Sequence, residues 1–334
     1  MLAGFPQPGT AADRAAVAAP QEPVTPQLKA MTYETSLDQS EQPMRVWAPE
    51  TAKTQPTPLY VHLHSWSGNY LQANDAWFRL AAARGWIILH PNFRGSNRKP
   101  DACGSPLARQ DVLDAIDWAI DEYQVDQSRI YLAGASGGGH MSMLMAAYYP
   151  ERFSAVSAWV GISDLAAWYR FHTPDGEPGN YALMTAASCG GAPGASPAVD
   201  AEYRARSPLF HIHRAVGLPL ELSAGVNDGH TGSVPVRHTL NAFNALARAQ
   251  KADTVSEEEM EQISTDKKLA KPQPGDIAPD PAYGRAILLR RTAGKAQVTI
   301  FDGGHEGLPQ AGIAFLARHR RMTRSPATDK PAAE

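Results

Sequence analysis

Cysteine is nearly absent from this sequence, since only Cys103 and Cys189 occur among its 334 residues. So few cysteines exclude a small scaffold held together by disulfides. Both lie in loops that contain glycine, and the sequence leaves open whether they form a disulfide or remain two free thiols.

Strong charge and long apolar runs are also missing. The net charge is −3, from 31 basic and 34 acidic residues, and there is no basic block, so we expect no nucleic-acid partner. No apolar run approaches the roughly 20 residues that a membrane-spanning helix needs, so we expect no membrane partner either. The sequence predicts no particular oligomeric state.

The first thirty residues lack the basic and apolar regions of a signal peptide. Their Ala, Pro, Gln and Thr content predicts a flexible leader over 1–30. We expect a single domain over 31–320 and a disordered tail over 321–334. Two locations are compatible with this leader: the cytoplasm, or a secreted or periplasmic location after removal of a signal. The proline-rich arm favours the second.

Short apolar runs typical of strands alternate with amphipathic helical patterns along the chain. Ser105 and Pro106 are typical of a helix start. The alternation predicts an α/β fold in which a mainly parallel, twisted sheet carries helices on both faces. Strands are predicted at 31–37, 44–48, 58–64, 86–90, 130–132, 154–160, 218–224, 285–291 and 297–301.

Two stretches interrupt the alternation. Residues 161–213 are rich in proline and glycine and are predicted to be irregular. Residues 251–283 are polar and charged, and they form an inserted segment before the last strands. This insertion is either a lid over the active site or a decoration of the surface.

The sequence Gly134-Ala-Ser136-Gly-Gly138 lies between an apolar strand pattern and a helical one. Flanking glycines remove the Cβ atoms that would collide where a strand turns sharply into a helix, so the serine hydroxyl projects from a tight corner. This arrangement is the nucleophile elbow of an α/β-hydrolase, and it predicts Ser136 as the nucleophile.

A serine nucleophile needs a histidine base and an acid that orients the histidine. In this fold the order along the chain is serine, acid, histidine, and the working groups follow the carboxyl ends of strands. Asp228 and His305 each follow a predicted strand in this order. Asp164 and Asp302 are rival acids, ranked second and third.

The negative charge that develops on the attacked carbonyl oxygen needs two N–H donors. We predict the Gly137 amide as the first and the Trp66 amide, in the loop after strand 58–64, as the second, with the neighbouring Ser65 amide as an open alternative. Aromatic side chains around the mouth of the site suit a sugar or aryl group, although all could be core residues. The candidate substrate-binding residues are Ser65, Tyr70 and Trp159, with Trp168 and Tyr169 as further aromatic candidates.

Five segments in this order resemble the prolyl-oligopeptidase-like branch of the α/β-hydrolases, over roughly residues 58–319. They are Pro91-Asn-Phe-Arg-Gly-Ser96, Asp111-Val-Leu-Asp-Ala-Ile-Asp-Trp118, Gly134-Ala-Ser-Gly-Gly138, Gly225-Val-Asn-Asp228 and Gly303-Gly-His305. That branch contains peptidases and single-domain carbohydrate esterases that release acetyl or feruloyl groups. The resemblance implies Ser136 as nucleophile, Asp228 as orienting acid and His305 as general base, in agreement with the residues themselves.

The chain departs from this branch in two ways. Its peptidases usually carry a β-propeller before the catalytic domain, and the residues ahead of the predicted sheet are too few for one, which favours an esterase. The insertion at 251–283 also lengthens the usual spacing between the acid and the base. The sequence therefore predicts a serine carboxylic-ester hydrolase that removes acetyl or feruloyl groups from plant polysaccharides, and a serine peptidase is the alternative.

Two other classes of function are alternatives to this prediction. His62 and His64 lie on one face of a strand, as in some zinc hydrolases, but no further ligand set has a recognisable spacing. A non-catalytic binding module on a hydrolase fold would readily lose one of Ser136, Asp228 and His305. We therefore expect no metal and no organic cofactor.

Overall fold

The computed structural model describes residues 24–322. The leader predicted for 1–30 and the tail predicted for 321–334 fall almost entirely outside this range. Within it, no helix is both long and apolar enough to cross a bilayer.

A nine-stranded sheet organises the described residues, in the spatial order β1-β2-β4-β3-β5-β6-β7-β9-β8. The six strands from β4 to β9 along this order are parallel neighbours, whereas β1, β2 and β8 are antiparallel at the two edges. The strands are β1 Lys29–Glu34, β2 Glu41–Trp47, β3 Thr57–Leu63, β4 Ile87–Pro91, β5 Val125–Ala135, β6 Ala155–Trp159, β7 Leu220–Gly225, β8 Ile287–Ala293 and β9 Ala296–Phe301.

Nine α-helices accompany the sheet in the described range and cover both of its faces. They are α1 Asp75–Ala82, α2 Pro106–Glu122, α3 Gly137–Tyr148, α4 Leu165–Phe171, α5 Asn180–Cys189, α6 Pro197–Ala205, α7 Arg237–Ala249, α8 Glu257–Thr265 and α9 Pro309–Ala317. The predicted α/β-hydrolase fold is confirmed. Ser105 caps α2 as its type predicts, because its hydroxyl accepts a hydrogen bond of 3.0 Å from the Ala108 amide.

The prediction that residues 161–213 are irregular is wrong. They form α4, α5 and α6, and we call this segment the cap. Its helices are only seven to ten residues long, so each shows less than three turns of periodicity. Asp164 caps α4 by accepting from the Ala166 and Ala167 amides, and Ser196 caps α6.

A separate apolar cluster combines side chains of the cap with side chains from the rest of the domain. Trp168 in α4 packs against Trp66 with ring centroids 4.5 Å apart. Cys103 and Cys189 are buried in this cluster as free thiols, and burial raises the pKa of the Cys103 thiol to about 12. The cap is therefore packed onto the loop that follows β3.

The insertion 251–283 contains α8, which packs against α7. Ser256 and Glu259 form a capping box at its start. Its own residues Met260 and Ile263 are buried. The Asn244 side chain in α7 donates to the Val255 carbonyl and accepts from the Val255 amide. These contacts hold the insertion against the body of the protein.

Candidate active site

Ser136 stands at a strained corner between β5 and α3. Its φ of 60° and ψ of −118° lie in a region that L-residues rarely adopt. A Cβ on Gly134 would come within 2.6 Å of the Gly138 carbonyl, and a Cβ on Gly138 would come within 2.3 Å of the Leu63 carbonyl oxygen. Glycine is required at both positions because the backbone passes so closely, and the corner presents the serine hydroxyl.

The loops that carry Asp228 and His305 leave the sheet side by side, because β7 and β9 are parallel neighbours. The Asn227 amide donates to the Gly303 carbonyl over 2.9 Å. A Cβ on Gly225 would lie only 2.3 Å from the Gly304 carbonyl oxygen. Two strands that lie far apart in the sequence thereby bring their polar side chains together.

Ser136, His305 and Asp228 form a continuous hydrogen-bond chain. The Ser136 hydroxyl lies 2.9 Å from Nε2 of His305, and Nδ1 of His305 lies 2.7 Å from Oδ2 of Asp228. Asp228 is buried, and its Oδ1 accepts from the amides of Gly229 and Val234, each over 3.0 Å. A buried carboxylate with these bonds can hold one tautomer of the imidazole.

The two rival acids lie elsewhere. The Asp164 carboxylate caps α4, and Asp302 is an exposed residue just after β9. Neither is bonded to the His305 ring, which donates to Asp228 instead.

Two backbone amides lie next to Ser136 without a protein acceptor in the described range, those of Trp66 and Gly137. They are close together, since a Cβ on Gly137 would stand 2.3 Å from the Trp66 nitrogen. Gly137 is the first residue of α3, where the helix dipole also favours negative charge. The Ser65 amide, by contrast, donates to Oε1 of Gln72 over 2.8 Å.

His62 in β3 and His64 just after β3 are both buried and hydrogen-bonded within the protein. Nδ1 of His62 lies 2.7 Å from the Tyr60 hydroxyl. The His64 ring is fixed between the carbonyls of Ser65 and Asn92 and stacks on Phe93. Burial lowers the pKa of His62 to about 3. Among residues 24–322, no group of three or more histidine, cysteine, aspartate or glutamate side chains has the arrangement of a metal site.

A cavity of about 360 Å³ opens over Ser136. Its walls combine aromatic rings with polar side chains. The lining residues are Ser65, Trp66, Ser67, Gln72, Asn74, Trp77, Ala135, Ser136, Val160, Tyr181, His305, Glu306 and Gly307. Tyr181 comes from the cap, whereas none of these described lining residues belongs to the insertion 251–283.

The prediction that Trp159 contacts substrate is wrong. Trp159 is fully buried at the end of β6, its indole N–H donates to the Ser157 hydroxyl over 2.7 Å, and its ring lies against Tyr283. Trp168 is core of the cap, and Tyr70 and Tyr169 are not among the described residues that line the cavity. Of the predicted substrate-binding residues, Ser65 lines the cavity.

Several residues at the site have no signal in the sequence. Ser233 places its hydroxyl 3.3 Å from Nε2 of His305. Its carbonyl accepts from the side chains of Trp168 and His172 in the cap region. Gln72, Asn74, Trp77 and Tyr181 line the cavity. Their positions depend on how loops and cap helices pack, which neither periodicity nor a motif records.

Comparison with known proteins places the chain in a family. The sequence profile described as "Prolyl oligopeptidase family" matches residues 72–260, which include Ser136 and Asp228. The chain belongs to the prolyl oligopeptidase family.

Sequence comparison with curated proteins finds acetylxylan esterases from fungi. The acetylxylan esterase of Coprinopsis cinerea is 30% identical over 129 residues, which cover 35% of this chain and 34% of the relative. Acetylxylan esterase A of Aspergillus ficuum is 25% identical over 128 residues, which cover 36% of this chain and 42% of the relative. The matches thus span less than half of either protein.

Solved structures of peptidases share the fold. An acylaminoacyl peptidase of Pyrococcus horikoshii has a TM-score of 0.60 and 19% identity, covering 90% of this chain and 43% of that one. A puromycin-hydrolysing peptidase of Mycobacterium tuberculosis has a TM-score of 0.58 and 17% identity, covering 87% and 40% respectively. At these identities the likeness supports the fold alone.

Proposed function

We propose that this prolyl oligopeptidase family member is a serine carboxylic-ester hydrolase that acts through an acyl-enzyme on Ser136. The observation that carries the proposal is the chain of hydrogen bonds from Asp228 through His305 to Ser136, which ends in an open cavity. The strained corner at Ser136 supports the same role, because it holds the hydroxyl in reach of both the base and the two unpaired amides.

The mechanism follows from these positions. His305 Nε2 takes the Ser136 proton as Oγ attacks the ester carbonyl, and the Gly137 and Trp66 N–H groups donate to the oxyanion. The proton then passes from His305 to the departing alcohol, which leaves an acyl group on Ser136. His305 next removes a proton from water as the water attacks the acyl carbonyl, and it returns that proton to Ser136 Oγ as the acid leaves. Asp228 keeps the Nδ1 proton in place throughout.

We propose acyl groups on plant polysaccharides, acetyl or feruloyl, as the substrate class. The names of the curated relatives support the acetyl group and xylan. The cavity supports a sugar ligand, because its lining pairs the Trp77 and Tyr181 rings with the carboxamide of Asn74 and the hydroxyl of Ser67. Rings of this kind offer apolar faces, and carboxamides both donate to and accept from hydroxyl groups. A secreted or periplasmic location, where such polysaccharides are met, belongs to this proposal and is tested by cell fractionation.

A serine peptidase is the second candidate, favoured by the family description and by the peptidases among the solved structures. One feature of the cavity speaks against a peptidase that reads a free N-terminus. Glu306 is the carboxylate that lines the cavity, and both of its oxygens are bonded to the Arg285 guanidinium. A peptide ammonium group would therefore have to displace Arg285 to pair with it.

A substrate panel decides between these candidates. It contains p-nitrophenyl acetate and longer acyl esters, acetylated xylan, methyl ferulate and a proline-containing peptide substrate. The proposal predicts release of acetate or ferulate with a kcat/KM well above that for the peptide. Preference for the peptide would assign the chain to the peptidases.

A further inference from the structure

The side chain of Gln72 closes the loop that follows β3. Its Oε1 accepts two hydrogen bonds from the same residue, one from the Ser65 amide over 2.8 Å and one from the Ser65 hydroxyl over 2.9 Å. The loop passes directly over this side chain, since a Cβ on Gly68 would lie 2.4 Å from the same oxygen. The carboxamide thus fills the interior of the turn.

Bonds to the Ser65 carbonyl fix the orientation of the next peptide unit, between Ser65 and Trp66. The Ser65 carbonyl accepts from the Gly68 amide over 3.0 Å and lies 2.9 Å from Nδ1 of His64, inside the loop. A trans peptide directs its C=O and its N–H to opposite sides. The Trp66 N–H, which belongs to the same peptide unit, therefore points out of the loop to the side where Gly137 and Ser136 lie.

Gln72 is itself held in place. The Arg45 guanidinium in β2 donates to the Gln72 carbonyl and to the Tyr70 carbonyl, each over 2.7 Å. The side-chain nitrogen of Gln72, Nε2, donates to Oδ1 of Asn74 over 3.3 Å. With its backbone anchored and both ends of its carboxamide bonded, the side chain is fixed before any substrate binds.

We propose that Gln72 is a positioning residue for the oxyanion hole. By taking up both donors of Ser65 it withdraws the Ser65 amide from the site and leaves the Trp66 amide as the partner of Gly137. The inference rests on the proposed serine-hydrolase function, which gives those two amides an oxyanion to bind. Gln72 acts through Ser65 and Trp66, and stabilisation of this kind favours the transition state over the bound ester.

The test replaces Gln72 by leucine, which keeps the approximate volume and removes the acceptor. Loss of an oxyanion donor lowers kcat by about 100- to 1,000-fold, and displacement of one should cost about 10- to 100-fold. We expect that fall in kcat for p-nitrophenyl acetate, per site titrated with a fluorophosphonate, with KM changed less than about threefold. Inhibition by a boronic acid, which forms a tetrahedral adduct, should weaken in parallel with kcat.

A mutant cycle with Ser65→Ala separates positioning from direct substrate contact. If Gln72 acts through Ser65, the double variant Ser65→Ala, Gln72→Leu should be no slower than Gln72→Leu alone. Additive losses would mean that the two side chains contact the substrate independently and would overturn the inference. Gln72→Met serves in the same cycle if the leucine variant does not fold.

Gln110→Leu is the matched control. Gln110 lies in α2, where its side-chain nitrogen donates to the Asp114 carboxylate. This change should leave kcat within about twofold of the wild type. If the wild-type protein hydrolyses no ester and reacts with no fluorophosphonate, the proposed function fails and takes this inference with it. If the wild type is active and Gln72→Leu keeps its kcat, the inference alone is wrong.

Discussion

The cap, residues 161–213, and the insertion, residues 251–283, both interrupt the alternation of strands and helices, yet they do different things. The cap supplies Tyr181 to the cavity wall and packs Trp168 against Trp66, next to the proposed oxyanion donor. The insertion packs on α7 through Met260 and Ile263. Position and length in the sequence therefore do not tell which segment covers a site.

Side-chain chemistry distinguishes the two segments better. The cap brings tryptophan, tyrosine and methionine side chains into one cluster with Trp66. The insertion is tied down at its surface by ion pairs, such as those of Arg237 with Glu257 and Glu261, which contribute little when exposed. Arg291 also pairs with the buried carboxylate of Asp276 and so joins the insertion to β8. In this chain the aromatic, apolar segment is the one that contributes to the described cavity wall.

Replacing Trp168 by alanine should have the largest effect among changes in these two segments. The variant loses a fully buried ring, at a cost of about 3–5 kcal/mol in the free energy of unfolding. It also loses the indole N–H that donates to the Ser233 carbonyl over 2.7 Å. We expect kcat/KM per titrated site to fall at least about tenfold, measured with p-nitrophenyl acetate alongside urea unfolding. Unchanged kcat/KM would mean that the cap is as remote from catalysis as the insertion.

Met260→Ala is the counterpart in the insertion. It removes a buried side chain of α8, and truncation of a buried methionine costs about 2–5 kcal/mol of stability. We expect kcat/KM per titrated site to stay within about twofold of the wild type, because α8 packs on α7 and lines no part of the cavity described above. A loss of activity similar to that of Trp168→Ala would erase the distinction between the two segments.

A smaller effect concerns the pH dependence of stability. Tyr283 is the last residue of the insertion, and its side chain reaches the core. Its hydroxyl donates to Oε1 of Glu221 over 2.9 Å, and Oε2 of Glu221 accepts from Ser157 over 2.6 Å. Burial raises the pKa of Glu221 from 4.5 to about 7. Between these values the native state binds more protons than the unfolded state, so this group lowers stability as pH rises through that window.

Glu221→Gln keeps a hydrogen-bonding side chain and removes the titration. Buried His62, whose pKa is lowered to about 3, acts in the opposite sense and costs stability as pH falls below about 6.5. The free energy of unfolding should therefore rise more between about pH 5 and about pH 8 in the variant than in the wild type. Parallel pH profiles from urea unfolding would show that Glu221 does not titrate in this range.

The sequence predicts most of the sheet because buried strands and helix starts leave local patterns. The elbow is predictable because only glycine fits at 134 and 138. The loops of Asp228 and His305 follow from chain order and the position of strand ends. The cap escapes sequence prediction because its helices are short and their apolar partners are distant. Trp159 is misassigned because every residue of β6 is buried, so no alternation of polar and apolar residues marks the side that faces the cavity. Gln72 and Ser233 act through contacts between loops, which no local pattern encodes.

The proposed catalysis depends on acylation of Ser136 during turnover. The most direct measurement is intact mass followed by peptide mapping after reaction with a fluorophosphonate and with a slowly released acyl ester. We expect one adduct, on the peptide that contains Ser136, and loss of both the adduct and ester turnover in Ser136→Ala while the fold is kept. An adduct on another residue, or near-normal turnover in Ser136→Ala, would contradict it.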